Sequence, residues 1–116
     1  MGAETFVVMK KGIFKDAREA FLQAVEDASY EHGHGGYTGT IAEKSSFKML
    51  ELPKGKQIGK FVEECLEENE TGFWNDKWGP AACLEIKGSK LAKLRDESYK
   101  GKRNFKAFVF FGWASS

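Results

Sequence analysis

The sequence predicts a single α+β domain with a mixed or antiparallel sheet of about five strands and two main helices. The chain has 116 residues, of which 41% are hydrophobic and 30% are charged, as is typical of one globular domain covering residues 1–116. Short apolar runs with β-branched residues alternate with two amphipathic segments of helical period. The predicted element order is β-α-β-β-α-β-(α)-β.

The first half of the chain contains the first helix and three of the predicted strands. Residues 4–11 hold a short apolar run that ends at Gly12, and we expect this strand to be central. Asp16 is suited to cap a helix, with Glu19 as its capping-box partner and Gly33 as its stop. Residues 37–42 and 47–52 read as two further strands, which form a candidate hairpin.

The second half contains the other helix and the most apolar strand. Apolar residues at helical spacing predict a helix over residues 57–69, and residues 81–86 predict a strand. Residues 90–102 suit either a short helix or a charged excursion. Residues 104–113 are the most apolar segment and are about the length of a strand buried on both faces, so we expect them in the middle of the sheet.

Composition and charge exclude several classes of protein. No run approaches the roughly 18 apolar residues of a membrane span, and no basic-then-apolar leader opens the chain, so we expect a cytoplasmic protein without a membrane partner. Cys65 and Cys83 lie in apolar patterns and are expected to be buried thiols. Residues 1–88 carry 11 Lys/Arg and 15 Asp/Glu, whereas residues 89–116 carry 7 and 2. This asymmetry suits an internal electrostatic match or an anionic partner.

A glycine-rich segment after the first helix is the first candidate site. Glycines let a ligand approach the backbone closely, so that successive N–H groups can form an anion-binding nest, and threonine hydroxyls add donors. The alternative is a tight connection in which the glycines serve geometry alone. The segment is neither a P-loop nor a dinucleotide fingerprint. The candidate ligand-binding residues here are His32, His34, Gly36, Tyr37, Thr38 and Thr40.

A second candidate loop surrounds two tryptophans. An aromatic ring can stack on a flat ligand while neighbouring amide and carboxylate groups hydrogen-bond its edge. The alternative, which is favoured for any single aromatic residue, is that Phe73 and Trp78 cover the core. Basic residues near the C-terminus can neutralise phosphates or form a solvated surface. The candidate residues in these two segments are Trp74, Asn75, Asp76, Trp78, Lys102 and Arg103.

The histidines also allow an enzymatic reading. His32 or His34 would act as general acid or base, with Glu31, Glu43 or Asp76 as the orienting partner. The sequence places no third and fourth ligand for a metal, and it shows no established motif for a cofactor. We therefore expect no metal and no cofactor, and no nucleic acid partner, because the net charge is only +1 and nucleic-acid-binding motifs are missing.

Three segments resemble motifs of small uncharacterised proteins that are encoded by phages and bacteria. They read GYTGTIAEK at residues 36–44, KWGPAAC at residues 77–83 and FFGWAS at residues 110–115. The resemblance implies no catalytic residues. It implies a role directed at the host, such as sequestering a nucleotide immune signal in the host cytoplasm or blocking a host protein.

The leading functional hypothesis is non-catalytic binding of a small anionic, phosphate-bearing or nucleotide-like ligand between the two loops, with a homodimer completing the pocket. The alternatives are a small enzyme acting on such a ligand and a module that binds and inhibits a host protein.

Overall fold

A four-stranded mixed sheet forms the centre of the protein. The computed structural model describes residues 2–33, 36–67, 72–98 and 104–116. Within these ranges the spatial order is β1-β4-β3-β2; β4 runs antiparallel to both β1 and β3, and β2 runs parallel to β3. The strands are β1 Ala3–Ile13, β2 Phe47–Met49, β3 Ala81–Ile86 and β4 Phe105–Ser115.

Helices cover both faces of this sheet. Helix α1, Ala17–His32, packs on one face, whereas α2, Ile58–Cys65, and α3, Gly88–Ser98, pack on the other. Two short 3₁₀ helices, Ile41–Glu43 and Phe73–Asn75, complete the described elements. Both faces are therefore apolar, which explains why β3 and β4 are almost continuously hydrophobic.

Two hydrophobic cores result, one on each side of the sheet. Alternate side chains of a strand point to opposite faces, so Phe108 and Phe110 join the core beneath α1 while Val109 and Phe111 join the core beneath α2. The α1 core contains Phe6, Phe14, Phe21, Ile41 and Cys83, among others. The α2 core contains Ile58, Val62, Cys65, Leu84 and Ile86, among others.

The α+β class, the mixed sheet and the two main helices are confirmed. Strand β4 lies between β1 and β3, as its composition predicted. Helix α1 begins after Asp16, whose carboxylate accepts a hydrogen bond from Glu19 N at 3.0 Å, and it ends at Gly33. Of the two alternatives for residues 90–102, the helix is correct as far as residue 98, because residues 88–98 form α3. Residues 99–103 lie outside the described residues.

Three predictions about strands were wrong. Residues 37–42 form a loop that leads into a 3₁₀ helix, because Tyr37 (φ 58°) and Gly39 (φ 70°) adopt left-handed conformations that a strand does not contain. There is accordingly no hairpin, and β2 pairs with β3 instead. Strand β1 is an edge strand and not a central one, because among the described strands it pairs with β4 alone. Its apolar run covers the core on one face, while Val7 and Met9 are exposed on the other.

No helix among the described residues is both long enough and apolar enough to cross a membrane.

Candidate functional site

The two candidate loops meet at one end of the sheet. Gly39 N in the 36–46 loop donates to Ser115 O, near the end of β4, at 2.8 Å. Lys77 Nζ in the 72–80 loop is 3.4 Å from Gly2 O, just before β1, and Ala81 N donates to Ser46 O at 3.0 Å. Both loops therefore lie where β1 and β3 begin and β4 ends.

Lys44 ties the two loops together. Its ammonium group donates to Asp76 O at 3.3 Å, to Lys77 O at 3.3 Å and to Gly79 O at 2.9 Å. The side chain is buried, with only 4% of the residue exposed. Burial lowers the pKa of Lys44, and the negative charge of Asp76 partly offsets this. Lys44 thus fixes the path of the 72–80 loop by binding its backbone carbonyls. The sequence patterns did not indicate this role.

The backbone nest predicted in the glycine-rich loop holds a carboxylate of the protein itself. Gly36 (φ 79°) and Tyr37 (φ 58°) turn the chain so that Thr38 N donates to Glu43 Oε2 at 3.1 Å. The hydroxyl of Thr38 donates to the same oxygen at 2.8 Å. Burial alone would raise the pKa of Glu43, but the hydroxyl and N–H of Thr38 and the N–H of Tyr37 outweigh it and lower that pKa. An external anion would have to displace Glu43 to use these donors.

Thr40 is also engaged within the loop. Its hydroxyl oxygen accepts from Ala42 N at 3.2 Å and so caps the 3₁₀ helix, and it lies 2.8 Å from the Thr38 hydroxyl. The predicted ligand donors Thr38 and Thr40 therefore have internal partners. Their role in ligand binding stays a prediction.

The exposed part of this end is an aromatic pair with a cation beside it. Trp78 is 66% exposed and Tyr37 is 51% exposed. Their rings meet edge to face with centroids 6.3 Å apart, and Lys77 Nζ lies 5.3 Å from the centroid of the Trp78 ring. Asp76 Oδ1 accepts from Trp78 N at 2.9 Å, which holds the turn. We call Tyr37, Lys77 and Trp78 the aromatic surface.

Trp74 belongs to the α2 core and not to this surface. Its indole N–H donates to Cys65 O at 2.7 Å. Its ring packs against Phe73 and Phe111, with centroid distances of 5.2 and 6.0 Å. Asn75 lies in the same short helix and is partly buried. The alternative that Phe73 and Trp78 cover the core is therefore wrong for Trp78, which is 66% exposed, whereas Phe73 and Trp74 pack against the core.

The histidines are only partly described. His32 is exposed at the end of α1, and its Nε2 lies 3.9 Å from Glu31 Oε2, too far for a hydrogen bond. It lines a groove of about 430 Å³ that runs along β1 and also contains Gly39 and Thr40. His34, Lys102 and Arg103 lie outside the described residues. Among the residues that are described, no group of three or more His, Cys, Asp and Glu side chains could hold a metal ion.

A scan against models of known protein families and searches of curated sequences and solved structures found no match to this chain.

Proposed function

We propose that the protein binds a small phosphate-bearing or nucleotide-like ligand at the aromatic surface without catalysing a reaction. The observation that carries this proposal is the exposed Trp78 ring, next to Tyr37 and Lys77, on a loop held by Lys44 and Asp76. A fixed, exposed indole offers a stacking surface for a base, and stacking contributes about 1–3 kcal/mol per base. Lys77 supplies the positive charge for a phosphate.

The contacts of Glu43 bear on where the phosphate of such a ligand would bind. Because Glu43 holds the Thr38 donors, we propose that the phosphate contacts Lys77 and not the backbone nest. The variant Glu43→Gln separates the two arrangements. It removes the competing charge from the nest, so it would raise affinity at least several-fold if a phosphate used the nest, and would leave affinity unchanged if Lys77 holds the phosphate.

The test is a panel of nucleotides measured by thermal shift and tryptophan fluorescence. We expect at least one of ATP, ADP, AMP, cyclic AMP and NAD to raise Tm and to quench tryptophan emission. Because the chain has three tryptophans, the quenching is assigned to Trp78 only if Trp78→Ala loses it. The variant Trp78→Ala should weaken binding by about 5- to 150-fold, the range that stacking free energies of about 1–3 kcal/mol imply. Tyr37→Asn should also weaken it without loss of the fold, since asparagine tolerates the left-handed conformation.

The matched control is Tyr30→Ala, which removes a tyrosine that is 90% exposed on α1 and outside the aromatic surface. It should bind as the wild type does. Equal affinity of Trp78→Ala and wild type would refute the site, and no response to any nucleotide at millimolar concentration would refute the ligand class.

A protein partner is the second candidate, and the same exposure of Trp78 favours it. Exposed tryptophan and tyrosine are the residue types that most often dominate protein interfaces. A pull-down with wild type, Trp78→Ala and Tyr30→Ala tests this, and it is supported only if Trp78→Ala alone loses a partner. The enzymatic alternative stays a prediction, and conversion of a bound nucleotide by wild type but not by His32→Ala would support it.

The resemblance to phage-encoded proteins suggests a biological role for this binding. In that form, the protein would sequester a nucleotide signal of the host in the cytoplasm and so act against host defence. Recovery of an intact nucleotide from the gently purified protein, by native mass spectrometry and denaturing release, would identify that signal.

A further inference from the structure

The turn at residues 76–79, which carries Trp78, satisfies its N–H groups and its carbonyls in different ways. Gly79 N donates to Asp76 O at 2.9 Å, and Trp78 N donates to Asp76 Oδ1 at 2.9 Å. The turn is tight, because a Cβ atom at Gly79 would lie only 3.2 Å from Cβ of Asp76. Two N–H groups are thus bound within the turn, whereas the carbonyls of Lys77 and Gly79 find their donor outside it.

That donor is a cation, the ammonium group of Lys44. Its Nζ lies 2.9–3.3 Å from the carbonyl oxygens of Asp76, Lys77 and Gly79. Among the described residues, no other hydrogen bond reaches the carbonyls of Lys77 and Gly79. The centroid of the Phe6 ring lies 6.0 Å from the same nitrogen, at the outer limit of a cation–π contact. Converging carbonyl oxygens carry partial negative charge and are a common way of binding a cation.

The number of donors matches the number of carbonyls. An ammonium group has three N–H donors and no acceptor, so it can serve all three oxygens at once. A neutral amine has only two N–H groups and adds a lone pair that faces no donor here. Because only 4% of Lys44 is exposed, water has little access to this nitrogen. The three carbonyls, which we call the cation cradle, therefore select a positively charged group that carries N–H donors.

We propose that the cation cradle is a binding site for an alkylammonium ion, that Lys44 fills it in the folded protein, and that the 72–80 loop holds Trp78 in place only while it is filled. Lys44 is in this sense a positioning residue for Trp78. The proposal concerns the conformation of the loop, so it holds whether or not Trp78 stacks on a nucleotide.

Backbone ¹⁵N relaxation tests the effect on the loop. In the wild type, Trp78 and Gly79 should be as rigid as β4, with order parameters of about 0.85. Lys44→Met fills nearly the same space without charge or N–H donors, so Trp78 and Gly79 should fall below about 0.6. The residues of β4 should keep their values, which also shows that the variant is folded. Wild-type order parameters at Trp78 and Gly79 in this variant would overturn the proposal.

An added ion tests the cradle itself. Lys44→Ala keeps Cβ and removes the rest of the side chain, and propylammonium has the same atoms as the part removed. Titration with propylammonium chloride should restore the signals and the order of Trp78 and Gly79 in a saturable way. If Lys44→Ala folds and propylammonium restores neither, the cradle does not bind an alkylammonium ion. If Lys44→Ala does not fold, the relaxation of Lys44→Met still decides the proposal.

Two controls separate binding in the cradle from a general effect of salt. Tetramethylammonium chloride carries the same charge without N–H donors and should not restore Lys44→Ala. Propylammonium should not restore Lys44→Met, because the methionine side chain occupies the space. Restoration in either control, to the extent seen with propylammonium in Lys44→Ala, would overturn the proposal.

The cradle and the ligand proposal fail separately. Relaxation and the propylammonium titration need no nucleotide, so a protein that binds none can still show both results. Trp78→Ala removes the proposed stacking ring but keeps the backbone N–H that Asp76 binds, and Gly79 should remain ordered in it.

Discussion

At the scale of single residues, Lys44 has an unusual position for a lysine. Its ammonium group is buried and faces three backbone carbonyls, and no carboxylate lies within ion-pair distance of it among the described residues. Buried charge is costly unless hydrogen bonds satisfy it, and here the carbonyls of residues 76, 77 and 79 do so. These carbonyls would lose the Lys44 donor if the lysine were removed, and Asp76 O would keep a hydrogen bond from Gly79 N at 2.9 Å.

Replacing Lys44 with an apolar residue should therefore destabilise the protein. Lys44→Met keeps the length of the side chain but removes the Lys44 donor from three carbonyls, of which Asp76 O still accepts from Gly79 N. We expect a loss of about 2–4 kcal/mol in the free energy of unfolding. Urea denaturation measures this. The control is Lys87→Met, at an exposed lysine after β3, which should change stability by less than about 0.5 kcal/mol. Equal stability of both variants would mean that Lys44 is not the tie between the loops.

The site residues show which contacts could be predicted from the sequence and which could not. The sequence correctly drew attention to both loops, and Tyr37 and Trp78 do meet. It did not foresee that Glu43 would take the donors of Thr38. That contact needs a left-handed conformation at Tyr37, a non-glycine residue, and no sequence pattern indicates one.

At the scale of elements, helix α1 and strand β4 were predictable for local reasons. The cap at Asp16 and the stop at Gly33 use groups only a few residues from the helix ends, so their signals lie within the sequence of α1. The apolar run of β4 exceeds what one buried face would need, which indicated a central strand. β1 gave a similar but shorter run. Whether β1 lies at the edge or in the centre depends on which strands pair with it, and strand pairing is not a local property of the sequence.

The cap of α1 provides a quantitative test of this local control. Asp16→Ala removes the acceptor for Glu19 N, and we expect a loss of about 1 kcal/mol in the free energy of unfolding. Asp16→Asn keeps a capping oxygen and should retain most of that stability, while losing only the favourable charge at the helix N-terminus. Thermal melting of the three proteins compares them. If the alanine variant melts at the same temperature as the wild type, the cap contributes no measurable stability to the folded protein.

At the scale of the whole molecule, one sheet carries two cores. Cys83 lies in the core beneath α1 and Cys65 in the core beneath α2, so each thiol reports on one side of the sheet. Burial, with a smaller effect of the Glu85 charge, raises the pKa of Cys83 from 9.0 to about 12. Because the pKa is raised on folding, the protonated thiol favours the native state below about pH 9. This contribution is lost as the pH rises from 9.0 toward about 12.

Thiol labelling therefore tests whether the two cores open together. At pH 8 neither thiol of the native protein should react with a disulfide reagent, because both are buried and the thiolate of Cys83 is suppressed. In a urea series, Cys65→Ala reports on Cys83 and Cys83→Ala reports on Cys65. We expect each thiol to become reactive at the unfolding midpoint that circular dichroism gives for the same variant, since β3 and β4 contribute side chains to both cores. If Cys65 reacted well below that midpoint while Cys83 stayed protected, α2 would undock on its own, and the sheet would not couple its two faces.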